Sequence, residues 1–78
     1  MKQKDLDNVA LRLEAEEKLK LRYRWPVEKR DDDRMLYEER TDPLLDVAEE
    51  TGVFFVSHNG DIMKVWLNEA IEVLPLED

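Results

Sequence analysis

The residues of this chain best suited to nucleophilic chemistry are its only serine and its only histidine, which are neighbours, Ser57 and His58. In a serine–histidine pair the imidazole removes the hydroxyl proton so that the oxygen can attack a substrate. Successive residues of a strand point to opposite faces, and the two members of such a pair usually come together from separated positions. We therefore expect Ser57 and His58 to be solvated turn residues, and we expect no enzymatic activity.

Metal binding has two weak candidates. Asp31, Asp32 and Asp33 are consecutive, whereas a calcium-binding loop needs alternating oxygen ligands and a glycine. Helix capping and salt bridges explain these carboxylates better. His58 with Asp61 would supply at most half of the ligands of a metal site. The chain has two glycines, which are too few for the glycine-rich motifs that bind phosphates or dinucleotides. We expect no metal and no cofactor.

Residues 18–25, KLKLRYRW, alternate without a break between cations and apolar residues. This period of two predicts a half-buried strand that ends before Pro26 and turns four cations to solvent: Lys18, Lys20, Arg22 and Arg24. Outward cations near Tyr23 and Trp25 would also suit a nucleic-acid-binding surface. However, both aromatic residues share the apolar parity, which favours a place in the core.

The charge is distributed unevenly along a chain whose net charge is −8. Residues 18–34 hold seven Lys and Arg against four Asp and Glu, whereas residues 35–78 hold two against eleven. The basic strand could pair with the acidic second half within one molecule or between two. The second arrangement would be a self-association that weakens with salt.

The first element is predicted as a helix from about Asp5 to Glu17. Its apolar residues follow the spacing of one helical face: Leu6, Val9, Ala10 and Leu13. A hairpin turning at Glu16 and Glu17 is the alternative, since Val9, Leu11, Leu13 and Ala15 also alternate. That turn lacks Gly, Asn or Asp, so we rank it second.

Two short helices are predicted next. The first would run through RMLYEER, and its N-cap would come from Asp31, Asp32 or Asp33. In the second, Asp42 would be the cap, Pro43 the first helical residue and Gly52 the left-handed end. Its apolar stripe would consist of Leu44, Val47 and Ala48.

Asn59 and Gly60 lie between two apolar runs and predict a β-hairpin with a type I′ turn. Its register would pair Phe54 with Val65, Val56 with Met63 and Val53 with Trp66. The alternative is a helix from Gly60 to Leu74. EAIEVL, before Pro75, would form a short final strand or a helical turn.

This order of elements resembles that of winged-helix domains, and LLDVAEETGV is similar to the first half of many helix-turn-helix sequences. The fold expected is therefore a single α+β domain over residues 1–78, in the order helix, strand, helix, helix, β-hairpin, with residues 1–4 and 77–78 frayed. The resemblance implies a transcription or DNA-associated factor that uses Lys18, Lys20, Arg22 and Arg24. We keep this as the alternative function.

The function that the charge pattern favours is a non-enzymatic protein-binding module, a regulator or inhibitor that docks on a basic surface of a larger protein. The candidate contact residues are acidic and close in sequence on the two predicted short helices: Glu38, Glu39, Asp46, Glu49 and Glu50. The absence of cysteine favours a cytoplasmic location, and no apolar run is long enough to cross a membrane.

Overall fold

A computed structural model describes residues 1–29 and 35–76, and within them the chain forms one α-helix and five strands. The helix α1 is Gln3–Glu14, and the strands are β1 (Leu19–Lys29), β2 (Met35–Ala48), β3 (Val53–His58), β4 (Asp61–Trp66) and β5 (Ala70–Pro75). A 3-10 helix, Leu67–Glu69, joins β4 to β5. The strands make one antiparallel sheet in the order β4-β3-β2-β1-β5.

The expected fold class is wrong: the domain is mostly sheet, and it does not have the winged-helix-like arrangement of several helices. Residues 35–48, which were predicted to contribute to two short helices, form the single strand β2. The LLDVAEETGV segment is the end of β2, a turn and the first residue of β3, so it is not half of a helix-turn-helix. The proposed capping residues Asp31, Asp32 and Asp33 lie outside the described residues.

Helix α1 packs on the sheet through the predicted face, since Leu6, Val9 and Ala10 are buried. It begins at Gln3 and ends at Glu14, a few residues before the predicted end. The helix ends in a Schellman motif. The backbone N–H of Glu17 donates to the carbonyl oxygen of Arg12, and the backbone N–H of Glu16 donates to that of Leu13. Glu16 takes the left-handed conformation usual for glycine, with φ of 64°.

Strand β1 has the predicted parity. Leu19, Leu21 and Tyr23 are buried, and Trp25 packs partly buried against the core. The strand does not end at Pro26 as expected, but continues to Lys29 with a shift in register between Pro26 and Glu28. Such an irregularity is where a strand tolerates proline.

Strand β2 bridges the two halves of the sheet, and Pro43 marks the change of partner. Up to Pro43 the strand pairs with β1, and from Leu44 it pairs with β3. Pro43 is therefore at a boundary between ladders, where its missing N–H removes little pairing. Asp42 and Pro43 locally favour the start of a helix. The pairing of β2 with β1 and β3 favours a strand instead, and it decides the conformation.

The β3–β4 hairpin has the predicted register: Val53 pairs with Trp66, Phe54 with Val65 and Val56 with Met63. Asn59 and Gly60 have φ of 52° and 89°, as a type I′ turn requires. The alternative helix from residue 60 to residue 74 is not formed, and the EAIEVL segment contributes to β5.

The sheet is strongly curled. β4 and β5 are at opposite ends of the strand order, yet only three residues separate them. Edges of a flat five-stranded sheet would lie about 19 Å apart, whereas the four residue steps from Trp66 to Ala70 span at most about 14 Å. The sheet must therefore wrap around its buried face, where the largest fully buried side chains lie: Tyr23, Phe54, Leu6, Leu19, Leu21, Val56 and Val65.

Within the described residues, no helix has the length and apolar character needed to cross a membrane.

Candidate functional site

The cations of β1 form ion pairs within the molecule. Arg22 Nε donates to Oε1 of Glu39 at 2.5 Å, and Arg22 Nη1 donates to Oε1 of Glu72 at 2.7 Å. Arg24 Nη2 lies 3.3 Å from Oε2 of Glu69. These contacts correspond to the intramolecular alternative for the basic strand: two of its predicted outward cations, Arg22 and Arg24, are opposed by carboxylates of the second half of the chain.

The same contacts shift pKa values. The Arg22 guanidinium holds the pKa of Glu39 below its usual range, and Glu39 with Glu72 raises the pKa of Arg22. The outer face of β1 therefore has a smaller net positive charge than its four cations alone would give it. Lys18 and Lys20, the other two residues of the predicted basic surface, lie just before β1 and within it.

The five predicted acidic contact residues are split between two places. Glu38 and Glu39 lie in β2 beside Trp25 and Arg24 of β1, where Glu38 pairs with Arg40. The other three lie at or beyond the far end of β2: Asp46, Glu49 and Glu50. All five are on a strand and its following turn, rather than on two short helices.

The far end of β2 joins the C-terminal half of α1 to form an acidic groove with a volume of about 540 Å³. We call this the α1–β2 groove. Its carboxylates come from both elements and from the turn after the helix: Glu14, Glu16, Glu17, Asp46 and Glu49. Lys18 is the one cation among its lining residues in the described parts of the chain. Its floor is apolar, with Leu13 and Leu44 among the residues that form it.

Glu49 is held close to the helix. The side-chain amide of Gln3 donates to its backbone oxygen at 3.3 Å. Burial, together with the nearby carboxylates of Asp7 and Glu14, raises the pKa of Glu49. Like charges around Glu49 therefore oppose each other in the free protein, and a cation placed there would relieve that repulsion.

A second polar cluster lies where β1, β2 and β3 meet. Tyr23 Oη donates to Oδ2 of Asp42, and Nδ1 of His58 lies 2.9 Å from the same oxygen. Burial, with Asp42 as the second cause, raises the pKa of Tyr23. Asn59 Nδ2 lies 3.3 Å from Nε2 of His58. His58 is thus an oriented side chain in contact with Asp42, which sequence analysis assigned only as a helix cap.

This cluster has some elements of a catalytic site. An aspartate that orients histidine is the arrangement of a general base. Ser57, however, alternates with His58 along β3, so its side chain points to the other face. His58 contacts Asp42, although the cross-strand register places it opposite Asp61. No group of three or more potential metal ligands occurs among the residues that the structure describes.

The contribution of α1 to the groove and the role of Asp42 were not predictable from the sequence pattern. The acidic residues of α1 were visible as charges, but only the packing of α1 beside β2 brings them to Asp46 and Glu49. Asp42 gave no signal as the partner of Tyr23 and His58, because its place before Pro43 is typical of a helix cap that accepts from backbone N–H groups instead.

Scans of family models, curated proteins and solved structures found no match to this chain.

Proposed function

We propose that this protein is a non-enzymatic binding module, a regulator or inhibitor, and that its α1–β2 groove binds a basic amphipathic segment of a larger protein. The observation that carries the proposal is that five carboxylates and several apolar side chains line one groove, with Glu17 alone of the five paired to an arginine, Arg12, among the ion pairs of the described residues. The rim attracts Lys and Arg side chains, while the floor offers apolar area to the opposite face of the same segment.

The apolar floor makes the groove more than a solvated acidic surface. Leu45 lines it and is 48% exposed. Burial of apolar side chains contributes about 25 cal/mol per Å² removed from water, and this contribution is insensitive to salt screening. A partner segment that combined leucine-like and lysine-like side chains would use both properties, whereas a purely basic segment would use only the rim.

The electrostatics of Glu49 support a cationic ligand. Its raised pKa reflects burial and the carboxylates of Asp7 and Glu14. A lysine or arginine bound at this place would lower that pKa again, because an opposite charge favours the ionised form. Binding would therefore be linked to pH and would weaken as the carboxylates become protonated.

This proposal keeps the expected partner, a protein with a basic surface, and refines the contact residues. Asp46 and Glu49 line the groove, and Glu50 follows Glu49 in the same turn. Glu38 and Glu39 do not line the groove and pair with Arg40 and Arg22 elsewhere on β2. The cytoplasmic location expected from the composition remains part of the proposal.

The test is isothermal titration calorimetry of the full chain with a synthetic amphipathic helix of Leu and Lys, about 14 residues long, at about 0.15 M salt. The groove variant carries Glu14→Gln, Asp46→Asn and Glu49→Gln. A matched control carries Glu38→Gln, Glu39→Gln and Asp61→Asn, so that both variants gain three charge units. Circular dichroism establishes that each is folded.

We expect the groove variant to bind at least about tenfold more weakly, since three partly screened ion pairs together contribute about 1.4 kcal/mol. The control should change affinity by less than about twofold, because its carboxylates lie outside the groove. Equal losses in the two variants would mean that only net charge matters, and the proposal would be wrong. Preferential binding of a single-stranded oligonucleotide in a parallel titration would favour the nucleic-acid alternative instead.

A further inference from the structure

Strand β4 is an edge of the sheet, and its second side has no partner among the strands that the structure describes. It stands last in the strand order and pairs with β3 along its whole length without an irregularity. An unpaired edge presents N–H and C=O groups to which a further strand can add. The other edge, β5, is less suited, because it contains Pro75 and its ladder with β1 is irregular between Arg22 and Tyr23.

The turn of the β3–β4 hairpin decides which residues of β4 face the open edge. In a two-residue hairpin, the residues that flank the turn, here His58 and Asp61, exchange both backbone hydrogen bonds, and bonded and non-bonded pairs then alternate. The N–H of Leu67 donates to the carbonyl oxygen of Gly52, in agreement with this alternation. The residues of β4 whose backbone groups point toward the open edge are therefore Ile62, Lys64 and Trp66.

The same three residues have exposed side chains. Ile62 is 70% exposed and Trp66 is 57% exposed, and Lys64 between them is exposed as well. Alternate residues of a strand share a face, so these side chains form one row on β4 in the order apolar, cationic, apolar. Apolar side chains on an open edge favour pairing with another strand. The row specifies which side chains that strand would place opposite it.

The charge at this edge is positive, although the chain has a net charge of −8. Within residues 1–29 and 35–76, no carboxylate lies at ion-pair distance from Lys64. A concavity of about 170 Å³ borders the edge, and its lining has two cations, Lys64 and Arg24, against the carboxylate of Glu69, which pairs with Arg24. An acidic side chain opposite Lys64 would therefore be attracted, whereas a second lysine would be repelled.

A second copy of β4 fits this edge poorly. Two antiparallel copies could set Ile62 against Trp66 of the other copy, but the same register sets Lys64 against its own counterpart. Like charges directly opposite each other destabilise a ladder. The next register that keeps both buried faces on one side sets Lys64 against Ile62 and leaves Trp66 without a partner. The occupant that fits is therefore a strand of another protein.

We propose that β4 accepts an antiparallel strand of a partner protein, with an acidic residue opposite Lys64 and apolar residues opposite Ile62 and Trp66. The backbone hydrogen bonds provide affinity, and the three opposed side chains provide specificity. None of these three residues of β4 lines the α1–β2 groove, so either site can exist without the other.

The test titrates the ¹⁵N-labelled full chain with a capped seven-residue peptide of threonine in which valine, glutamate and valine occupy the second, fourth and sixth positions. A second peptide has lysine in place of the glutamate. We expect a Kd of about 1 mM for the glutamate peptide and at least about fivefold weaker binding of the lysine peptide. The net charge of the chain alone would favour the lysine peptide, so the expected order reports the local charge at Lys64.

N-methylated peptides distinguish strand addition from simple charge attraction. A methyl group on the glutamate nitrogen replaces an N–H that would donate to β4, and it should weaken binding at least about tenfold. On the next threonine, the replaced N–H would point away from β4, so the Kd should stay within about twofold. Hydrogen exchange of the Ile62 and Lys64 amides should slow when the unmethylated glutamate peptide binds.

Two lysine variants localise the effect, after circular dichroism has established that both are folded. Lys64→Gln should reduce the preference for the glutamate peptide to within about twofold. Lys20→Gln removes an equal charge from β1, which has partners on both sides, and should keep the preference, as should the groove variant described above.

Four results would overturn the proposal: no binding of the glutamate peptide, no preference for it over the lysine peptide, equal effects of the two methyl groups, or equal effects of the two lysine variants. Sedimentation of the free chain as a dimer, with slow exchange of the same β4 amides, would assign the edge to a second copy instead and would also overturn it.

Discussion

The buried hydroxyl of Tyr23 donates a hydrogen bond to the carboxylate of Asp42. Tyr23 lies in β1 and Asp42 in β2, directly before the proline at which β2 changes partner. His58 of β3 contacts the same carboxylate oxygen. One acceptor therefore ties together three neighbouring strands of the sheet.

Tyr23→Phe should lower the free energy of unfolding by about 1.5 kcal/mol, because a hydrogen bond to a charged acceptor is lost from a well-packed position. For a domain of this size the corresponding decrease in Tm is roughly 5–10 °C. Thermal unfolding followed by circular dichroism measures it. An unchanged Tm would show that the hydroxyl contributes nothing to stability.

The raised pKa of Tyr23 predicts a loss of stability at alkaline pH. Below the ordinary tyrosine pKa of about 10, the phenol is protonated in both the folded and unfolded states. Above it, the unfolded chain releases the proton first, so the free energy of unfolding falls as pH rises toward the folded-state pKa. Urea unfolding between about pH 9 and pH 11 should show this fall in the wild type and a smaller one in Tyr23→Phe. Parallel curves would contradict the assignment.

Asp42→Asn should destabilise the domain more than His58→Asn does. The first substitution changes the acceptor of both Tyr23 and His58, whereas the second removes only one partner of the carboxylate. We expect losses of about 2 and 1 kcal/mol respectively. Chemical unfolding of both variants checks the order, and a larger effect of His58→Asn would mean that Asp42 is not the centre of the cluster.

Glu16→Gly should stabilise the protein. Glu16 ends α1 with φ of 64°, a conformation that costs a residue with a Cβ about 1 kcal/mol relative to glycine. Asn59→Gly is the matched control, since Asn59 also has positive φ but asparagine tolerates it. A higher Tm for Glu16→Gly, with little change for Asn59→Gly, is the expected result. If Glu16→Gly lowers the Tm, the left-handed helix end is wrong.

Glu49→Gln should stabilise the protein more at pH 7 than at pH 4. Because the pKa of Glu49 is raised in the folded state, deprotonation of the unfolded chain comes first as pH rises. The wild type therefore loses stability across this range, and the loss persists at neutral pH. Glu50→Gln, in the same turn, serves as the control. A Tm difference between Glu49→Gln and wild type that is the same at both pH values would contradict the repulsion around Glu49.

The sequence was informative where structure is decided locally. Asn59 and Gly60 fix a tight turn by themselves, so the register of the β3–β4 hairpin followed from the residues on either side. The parity of β1 and the buried face of α1 were likewise readable from spacing alone. In each case, neighbouring residues contain the whole signal.

The fold class was not predictable in the same way. β2 carries Glu38, Arg40 and Asp42 on the side where β1 has its apolar residues, so it lacks the alternation of a half-buried strand. Its capping-like residues Asp42 and Pro43 therefore favoured a helix. Hydrogen-bond ladders to β1 and β3 decided its conformation instead, and these depend on residues far away in the chain.

The candidate site was only partly predictable for the same reason. The charges of Asp46 and Glu49 identified half of the groove rim. The other half comes from the C-terminal part of α1 and the turn after it, and only tertiary packing brings it there. A smaller concavity likewise combines Trp25 of β1 with Trp66 of β4, which no local pattern brings together.

The most direct test of the central claim is chemical-shift mapping of the ¹⁵N-labelled full chain during titration with the amphipathic Leu–Lys helix. We expect the largest shifts at residues of the groove rim, Glu14, Asp46 and Glu49, with little change around Glu38 and Glu39. Shifts concentrated at Glu38 and Glu39, or spread evenly over all exposed carboxylates, would contradict the assignment of the α1–β2 groove as the binding surface.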